Sequence, residues 1–568
     1  MSNAATTHGS QQRGRFLDVP RPNGFVLATY LALVALAACG GGGSGGSNDG
    51  GGPEPPPPPQ EPPVFQTTTA VRVSGATPFT DACLAVPAGS TVYANAEVEP
   101  HLAVDRTNPN HIVASWQQDR LSDGGARGLL TSVSIDGGAT WDTPQPAPFS
   151  QCAGGEFARV SDPWVAVSGN TVLQIGIAFT GAANTVGSRS AVAVSRSLDG
   201  GVSWGPTVLL VDDDGNRLFN DKEALTIDST DPRFVYAVWD RIGLDEHGPT
   251  LLARSTNGGA SWEPATTIYD PGAGRQTIGN VAVTTPDGAV HVFFVELGPD
   301  PDNPATTEAH VAVMRSTDKG ATWSAPTRIA ELFPVGTLTP SLGRPVRTGE
   351  ILGTFAADPD DGTLYAVWQD GRFTAGEHDA IVLSRSTDGG VTWSVPAAVN
   401  ARLDAPAFTP TLSVLPGGAI GVLYYDFRQP GTATYQPTEL WLATSSNAID
   451  WAETRLAGNF DMFDAPVAGG LFVGDYQGLD AANASTFVAL YSRTNNGETL
   501  NRTDVFADRV SLGGVAAAPS VTSRALAMTT PVSPDTRQRV SRHLASAREA
   551  RLAEWRAWRE SARQPTQD

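Results

Sequence analysis

Short runs of alternating apolar and polar residues recur along most of the chain, as in Leu129–Ser134, Ala191–Ser197 and Ile381–Ser386. A period of two puts successive side chains on opposite faces, so each run predicts a strand with one buried face. The runs lead into a shared pattern. It reads Ser134-Ile-Asp136-Gly-Gly-Ala-Thr140-Trp141, then Ser197-Leu-Asp199-Gly-Gly-Val-Ser203-Trp204 and Ser255-Thr-Asn257-Gly-Gly-Ala-Ser261-Trp262. It returns as Ser316-Thr-Asp318-Lys-Gly-Ala-Thr322-Trp323 and Ser386-Thr-Asp388-Gly-Gly-Val-Thr392-Trp393, with a shortened sixth copy, Ser445-Ser-Asn447-Ala-Ile-Asp450-Trp451. The tryptophans are 63, 58, 61, 70 and 58 residues apart. Asp or Asn accepts hydrogen bonds from its own turn, Gly supplies positive φ, and Trp fills the gap to neighbouring apolar strands. The pattern is therefore a hairpin corner, a structural device.

Two further strands precede each box. One resembles His101–Asp105; the other ends in an aromatic residue, successively Trp116, Phe179, Trp239, Phe294, Trp368, Tyr425 and Tyr491. That makes seven units of four short antiparallel strands, six of them with a box. Such units repeated around an axis predict an all-β chain folded as a β-propeller over residues 66–515, with seven blades; six blades and an irregular seventh unit is the alternative. The seventh unit has strands near Tyr476–Asp480, Ser485–Tyr491 and Thr503–Val510 but no clear fourth. The orphan strand Thr68–Ser74 is expected to complete it, joining the ends and covering an exposed sheet edge. A linker at 516–533 precedes one helix, 534–563, whose Val540, Leu544, Ala547, Leu552, Trp555 and Trp558 form an apolar stripe among arginines. That stripe suits an anionic membrane surface or the acidic propeller itself.

Composition adds the compartment. The 568 residues include 60 Gly and 43 Pro, which favours turns over long helices, and the formal net charge is −21. An acidic body without a basic groove excludes nucleic acid as a partner. Residues 1–38 carry Arg13, Arg15 and Arg21 before a short apolar run ending Leu36-Ala37-Ala38-Cys39-Gly40. This resembles the signal peptide and lipobox of bacterial lipoproteins, which implies a lipidated Cys39 and a place in the bacterial envelope. A Gly/Ser- and Pro-rich tether over 39–65 would hold the domain off the membrane. In an exported chain the two remaining cysteines, Cys83 and Cys152, most simply form one disulfide, with two separate buried thiols as the alternative.

The boxes in four-stranded units resemble the Asp-box (BNR) repeats of the sialidase superfamily, with Asp136, Asp199, Asn257, Asp318, Asp388 and Asn447 at the box acid position. In that family the boxes face away from the ligand. The resemblance therefore directs attention to the opposite face, where innermost strands begin and the loops after the second strands lie. Glu99-Pro-His101, Asp162-Pro-Trp164, Asp221-Lys222-Glu223 and Gly474-Asp475-Tyr476 differ from unit to unit there, as expected of a site on a repeating scaffold. By resemblance Tyr476 would be a nucleophile, Asp123 the acid/base and Glu223 the partner carboxylate. Arg120, Arg344 and Arg347 would bind ligand along with Glu99, His101, Asp162, Asp221, Lys222 and Asp475. One departure is plain: Glu99-Pro100-His101 stands where the family opens with Arg-Ile-Pro.

Two functions follow as expectations. One is an envelope-anchored propeller that binds glycans and hydrolyses them as an exo-α-sialidase. The other is a non-catalytic propeller binding an extracellular protein or polysaccharide. Neither needs a cofactor, although Ca²⁺ suits an oxygen set such as Glu99, Asp162, Asp221 and Asp475. The chain is read as a monomer.

Overall fold

The computed structural model describes residues 65–84, 86, 89–180, 189–213, 218–243, 247–513, 520–527 and 531–561, without the side chains of 520, 521 and 549–561. The signal segment, Cys39 and the tether lie outside the described residues.

Seven innermost strands line an axis: Glu97–Val104, Arg159–Ser168, Leu218–Ile227, Gln276–Thr284, Gly353–Ala357, Ala407–Val414 and Gly478–Asn483, in blades 1 to 7. Each touches the next and the last touches the first, so the ring closes. Antiparallel partners run outward from each, as Val290–Pro299, Thr307–Ser316 and Thr327–Glu331 do in blade 4. The outer strand of blade 7 comes from the start of the domain. Phe65–Thr67 pairs with Val510–Leu512, and Val71–Arg72 with Phe506–Ala507. The expected closing strand is thus present, broken in two near Thr68–Ala70.

The boxes are the outer corners. In the first, Asp136 accepts the Thr140 amide at 2.9 Å and its hydroxyl at 2.6 Å, while Ser134 Oγ accepts the Gly138 amide at 2.7 Å. Gly137 and Gly138 have φ of 74° and 90°, conformations that an L side chain rarely adopts. In the fourth box Lys319 occupies the first such position at φ 58°, and its ammonium bonds Asp228 at 2.9 Å. Threonine or serine hydroxyls and turn amides hold Asp136, Asp199, Asp318 and Asp388 down at about 2. The box tryptophans Trp141, Trp204, Trp262, Trp323, Trp393 and Trp451 each join the apolar cluster between their own blade and the preceding one. The repeat is therefore what seals blade to blade.

The segment expected to be a linker contains a strand: Ser520–Arg524 adds a fifth strand to blade 6 beside Asp450–Thr454, and Ala527 bridges to Ala397 of blade 5. The helix Pro534–Ser561 then docks on blades 4 and 5. Val540 and Leu544 are buried with Phe293, Ile351 and Trp368. Arg537 pairs with Glu331 at 2.6 Å, and Ser541 Oγ accepts the Thr307 amide. The first half of the apolar stripe therefore faces the propeller; the side chains of Trp555 and Trp558 lie outside the described set. Burying each aliphatic chain stabilises by about 1.5–3 kcal/mol. Truncation before Pro534 is expected to lower the melting temperature, and an unchanged melt would contradict this docking.

Candidate functional site

The innermost strands carry a repeated irregularity. Their pairing slips between Val98 and His101, Ser161 and Trp164, Asp221 and Ala224, Ile278 and Val281, and Phe408 and Thr411. At each slip one residue has positive φ: Glu99 at 53°, Asp162 at 53°, Lys222 at 46°, Gly279 at 67° and Thr409 at 48°. A bulge leaves one residue unpaired and re-aims its side chain. Proline follows in three of the five (Pro100, Pro163 and Pro410), and its missing N–H is harmless where the ladder is already interrupted. Non-glycine residues in this region of φ cost on the order of 1–3 kcal/mol each and persist only where the surroundings hold them.

Three of these bulge residues meet. Lys222 Nζ donates to Asp162 at 3.0 Å, to Asp475 of blade 7 at 2.9 Å and to Glu99 at 3.4 Å. The lysine is 8% exposed and its three partners no more than 7%. Glu99 also accepts from the Gln117 side-chain amide, and that same amide reaches Ser161 Oγ at 3.1 Å. Asp475 is gripped a second time by Arg347, through Nε at 3.0 Å and also through Nη2.

Arg347 lies over the Phe472 ring at 4.6 Å, and Arg120 lies over the same ring at 4.8 Å. Arg120 turns to Gln117, donating to its Oε1 at 2.6 Å, while Asp119, its neighbour in the recurring Asp-Arg pattern, is taken by Arg127 at 3.2 Å. In blades 5 and 6 the corresponding arginines close on their own aspartates, Arg372 on Asp370 and Arg428 on Asp426. Arg241 reaches back to Asp213 of blade 2.

Burial sets the proton balance. It raises Glu99 to about 8, with Asp162 and Asp475 adding to the rise and Lys222 opposing it. Burial works against the Lys222 charge, but Asp162, Asp475 and Glu99 outweigh it and hold the ammonium well above its usual range. Asp475 goes the other way, since Arg347 and Lys222 overcome the penalty of burial. Glu223 is pushed well above the carboxylate range by burial and by Asp162. Burial alone lowers His101 to about 3, and its ring stacks on Trp164 at 3.8 Å.

The cluster divides the axis into two spaces. Above it is a mouth pocket of about 330 Å³, lined by Arg120, Phe179, Phe219, Asp221, Arg347 and Glu350 among others. Below it is a channel of about 830 Å³ walled by the innermost strands of all seven blades. Asp162, Lys222 and Asp475 line both.

The expected residues are therefore gathered only in part. Glu99, His101, Asp162, Lys222, Glu223, Asp475 and Tyr476 share the hub, while Arg120, Asp221 and Arg347 line the mouth pocket. Arg344 is elsewhere, stacked on Phe463 at 4.9 Å. Asp123 forms a two-armed pair with Arg159 at 2.9 and 3.1 Å. Partial burial raises its pKa, but Arg159 outweighs that and leaves it below its ordinary value, the reverse of what a proton donor needs. The Tyr476 hydroxyl donates to the Pro163 carbonyl at 3.2 Å, and burial with Glu99 and Asp162 pushes it well above 10. Of the four acids expected to offer a cation seat, Glu99, Asp162 and Asp475 converge on Lys222 Nζ, whose charge fills that position, while Asp221 lines the mouth pocket. Among the described residues no group of three or more His, Cys, Asp or Glu is arranged to hold a metal ion. Phe472 and Gln117 were not foreseen; Phe472 reaches the site because Leu471–Phe472 pairs in parallel with Val346–Arg347.

Residues 234–352 match the family profile described as a BNR repeat-like domain, from the second strand of blade 3 to the threshold of blade 5. The matched stretch holds two of the six boxes, Ser255–Trp262 and Ser316–Trp323. No curated protein matches the chain. Solved structures with similar folds include a protein of unknown function from Dyadobacter fermentans, 13% identical, covering 75% of this chain and 98% of that one with a TM-score of 0.39. An α-L-arabinanase of Penicillium chrysogenum complexed with arabinobiose is 14% identical over 63% and 94%, with a TM-score of 0.41. A sialidase of Trypanosoma rangeli is 14% identical over 79% and 58%, with a TM-score of 0.39. None is near enough to carry a site residue across.

Proposed function

We propose that this protein is an exported glycan-binding propeller whose ligand sits in the mouth pocket, and that it binds without the chemistry of an exo-α-sialidase. The observation that carries the reading is the hub cluster. Asp475 occupies the Arg347 fork, and the three N–H groups of Lys222 are spent on Glu99, Asp162 and Asp475. Arg347 and Lys222 are already neutralised from within, and Arg120 donates to the Gln117 side chain at 2.6 Å. Asp123 is paired with Arg159 and Tyr476 faces a carbonyl, so neither stands ready to exchange protons.

The mouth pocket has the ingredients for a polyhydroxylated ring. Phe179 and Phe219 meet edge to face at 5.6 Å and give an apolar surface, while Arg120, Asp221, Arg347 and Glu350 surround it with donors and acceptors. At about 330 Å³ it falls at the lower end of the ~300–1,000 Å³ range of ligand pockets and suits a mono- or disaccharide. Signal and lipobox support secretion with Cys39 as the lipid anchor, and the Cys83–Cys152 disulfide fits an oxidising compartment.

Calorimetric titration with a panel of neutral oligosaccharides tests the reading. At least one is expected to bind native protein and to lose tenfold or more in affinity with Phe219→Ala. Binding unaffected by that change, or absent across the panel, would contradict the proposed pocket.

A further inference from the structure

The channel below the cluster is not used by the proposed glycan site, and it is a different kind of space. Its walls are more apolar than polar, with Ala103, Val167, Ile227 and Val283 beside the hydroxyls of Thr226 and Thr284, one pleated strand from each blade. It runs to the turns on the box face, past Asp105, Asp228 and Asp480. These acids are paired, with His111, Lys319 and Arg106 respectively. The other end is closed by Lys222 and its carboxylates.

That closed end holds an unusual group. Glu223 lines it, is 3% exposed, and has, among the described residues, no hydrogen-bond partner from another residue on either carboxyl oxygen. A buried polar atom without a partner is destabilising, and more so if charged, so a carboxyl with two such oxygens calls for an explanation. Its neighbours narrow what would satisfy it. Lys222 has no N–H left to offer, and Arg120 and Arg347 face the mouth pocket on the other side of the cluster. Other groups at this end include Asp162, the Tyr476 ring, the stacked His101–Trp164 pair and Gln477, whose amide donates to the Thr409 carbonyl. A carboxyl, a second acid and aromatic faces form a receptor for a positive donor.

We propose that the channel is a second binding site, open on the box face, for an elongated apolar amine whose nitrogen pairs with Glu223 while its chain lies along the apolar walls. Burial and Asp162 favour the protonated form of Glu223. On binding, a neutral amine would take that proton and the resulting ammonium would bond the carboxylate, so no proton is left over. An amine arriving as its cation would release the Glu223 proton to solvent.

Titration of the full chain with n-decylamine below its micelle concentration, against n-decanoate and n-decanol, tests this by calorimetry and thermal shift. Decylamine is expected to bind one to one and raise the melting temperature, with decanoate not binding and decanol at least tenfold weaker. Glu223→Gln should cost at least tenfold in decylamine affinity while leaving decanol unchanged. Ala103→Phe, which obstructs the channel wall without touching Glu223, should abolish binding of both. Because Glu223→Gln could disturb folding, its melting curve without ligand is compared with that of native protein, and Ala103→Phe provides the independent arm. Equal affinity for the three probes, or full decylamine affinity in both variants, would overturn the proposal. Oligosaccharide binding at the mouth pocket should survive Ala103→Phe, so failure here is distinguishable from failure of the glycan reading.

Discussion

Lys222→Met is expected to destabilise the propeller by about 3–5 kcal/mol at neutral pH, since it leaves Glu99, Asp162 and Asp475 buried without their shared cation. For a domain of this size that is a fall of a few degrees in melting temperature, best read against denaturant midpoint as well. The pH dependence is diagnostic. In native protein the Lys222 pKa is raised, so its contribution is fully present below the ordinary lysine range and lost only as pH climbs above it. Between pH 5 and 8 that term is flat. In the variant Glu99, already raised to about 8 by burial, loses the Lys222 charge that opposes the rise, so its folded pKa climbs further above the unfolded one. The folded state then binds more protons, and stability must fall as pH rises. Glu99 is protonated in both folded proteins well below 8, so the deficit should be steady there and widen as pH climbs through 8 and above. A variant as stable as native protein at pH 8 would show that the cluster does not clamp the hub.

Removing the disulfide with Cys83→Ser and Cys152→Ser together is expected to cost about 4 kcal/mol on the loop-entropy view. The bond spans 69 residues and ties the turn Asp81–Cys83, before the first innermost strand, to the turn Gln151–Ala153 between blades 1 and 2. Arg127 joins the same region by bridging Asp81 at 2.8 Å and Asp119 at 3.2 Å. The loss should appear as a lower denaturant midpoint, matched by native protein under reducing conditions. Equal midpoints in oxidised and reduced protein would rule out a stabilising role for this bond.

Much of the wheel was legible because its signals are local and repeated. The box needs only eight consecutive residues to declare its corner, and period-two runs declare the strands that enter it. Closure was legible for a related reason: Thr503–Val510 lacked an outer partner and the segment around Val71 lacked any other. The site was less so. Glu99-Pro, Asp162-Pro and Thr409-Pro carry a usable sign, a proline inside an inner strand, which marks a bulge and a side chain turned off the ladder. That sign gathers Glu99 and Asp162 but cannot say that Lys222 will fill the space between them. Nor could it show that Asp123 would be captured by Arg159, because that pairing joins two loops and depends on tertiary distance alone. Phe472 depends on a parallel pairing with residues more than a hundred positions earlier, for which no periodicity exists. The linker misread has a similar cause: Ser520–Arg524 is a strand only because blade 6 offers it an edge.

The most direct test is release of the fluorophore from a fluorogenic α-sialoside by the purified native protein, measured beside the Tyr476→Phe variant. With Arg347 and Lys222 neutralised inside the hub, no turnover above buffer is expected from either. Turnover by the native protein that disappears with Tyr476→Phe would contradict a hub built to bind and would restore the phenol as a nucleophile.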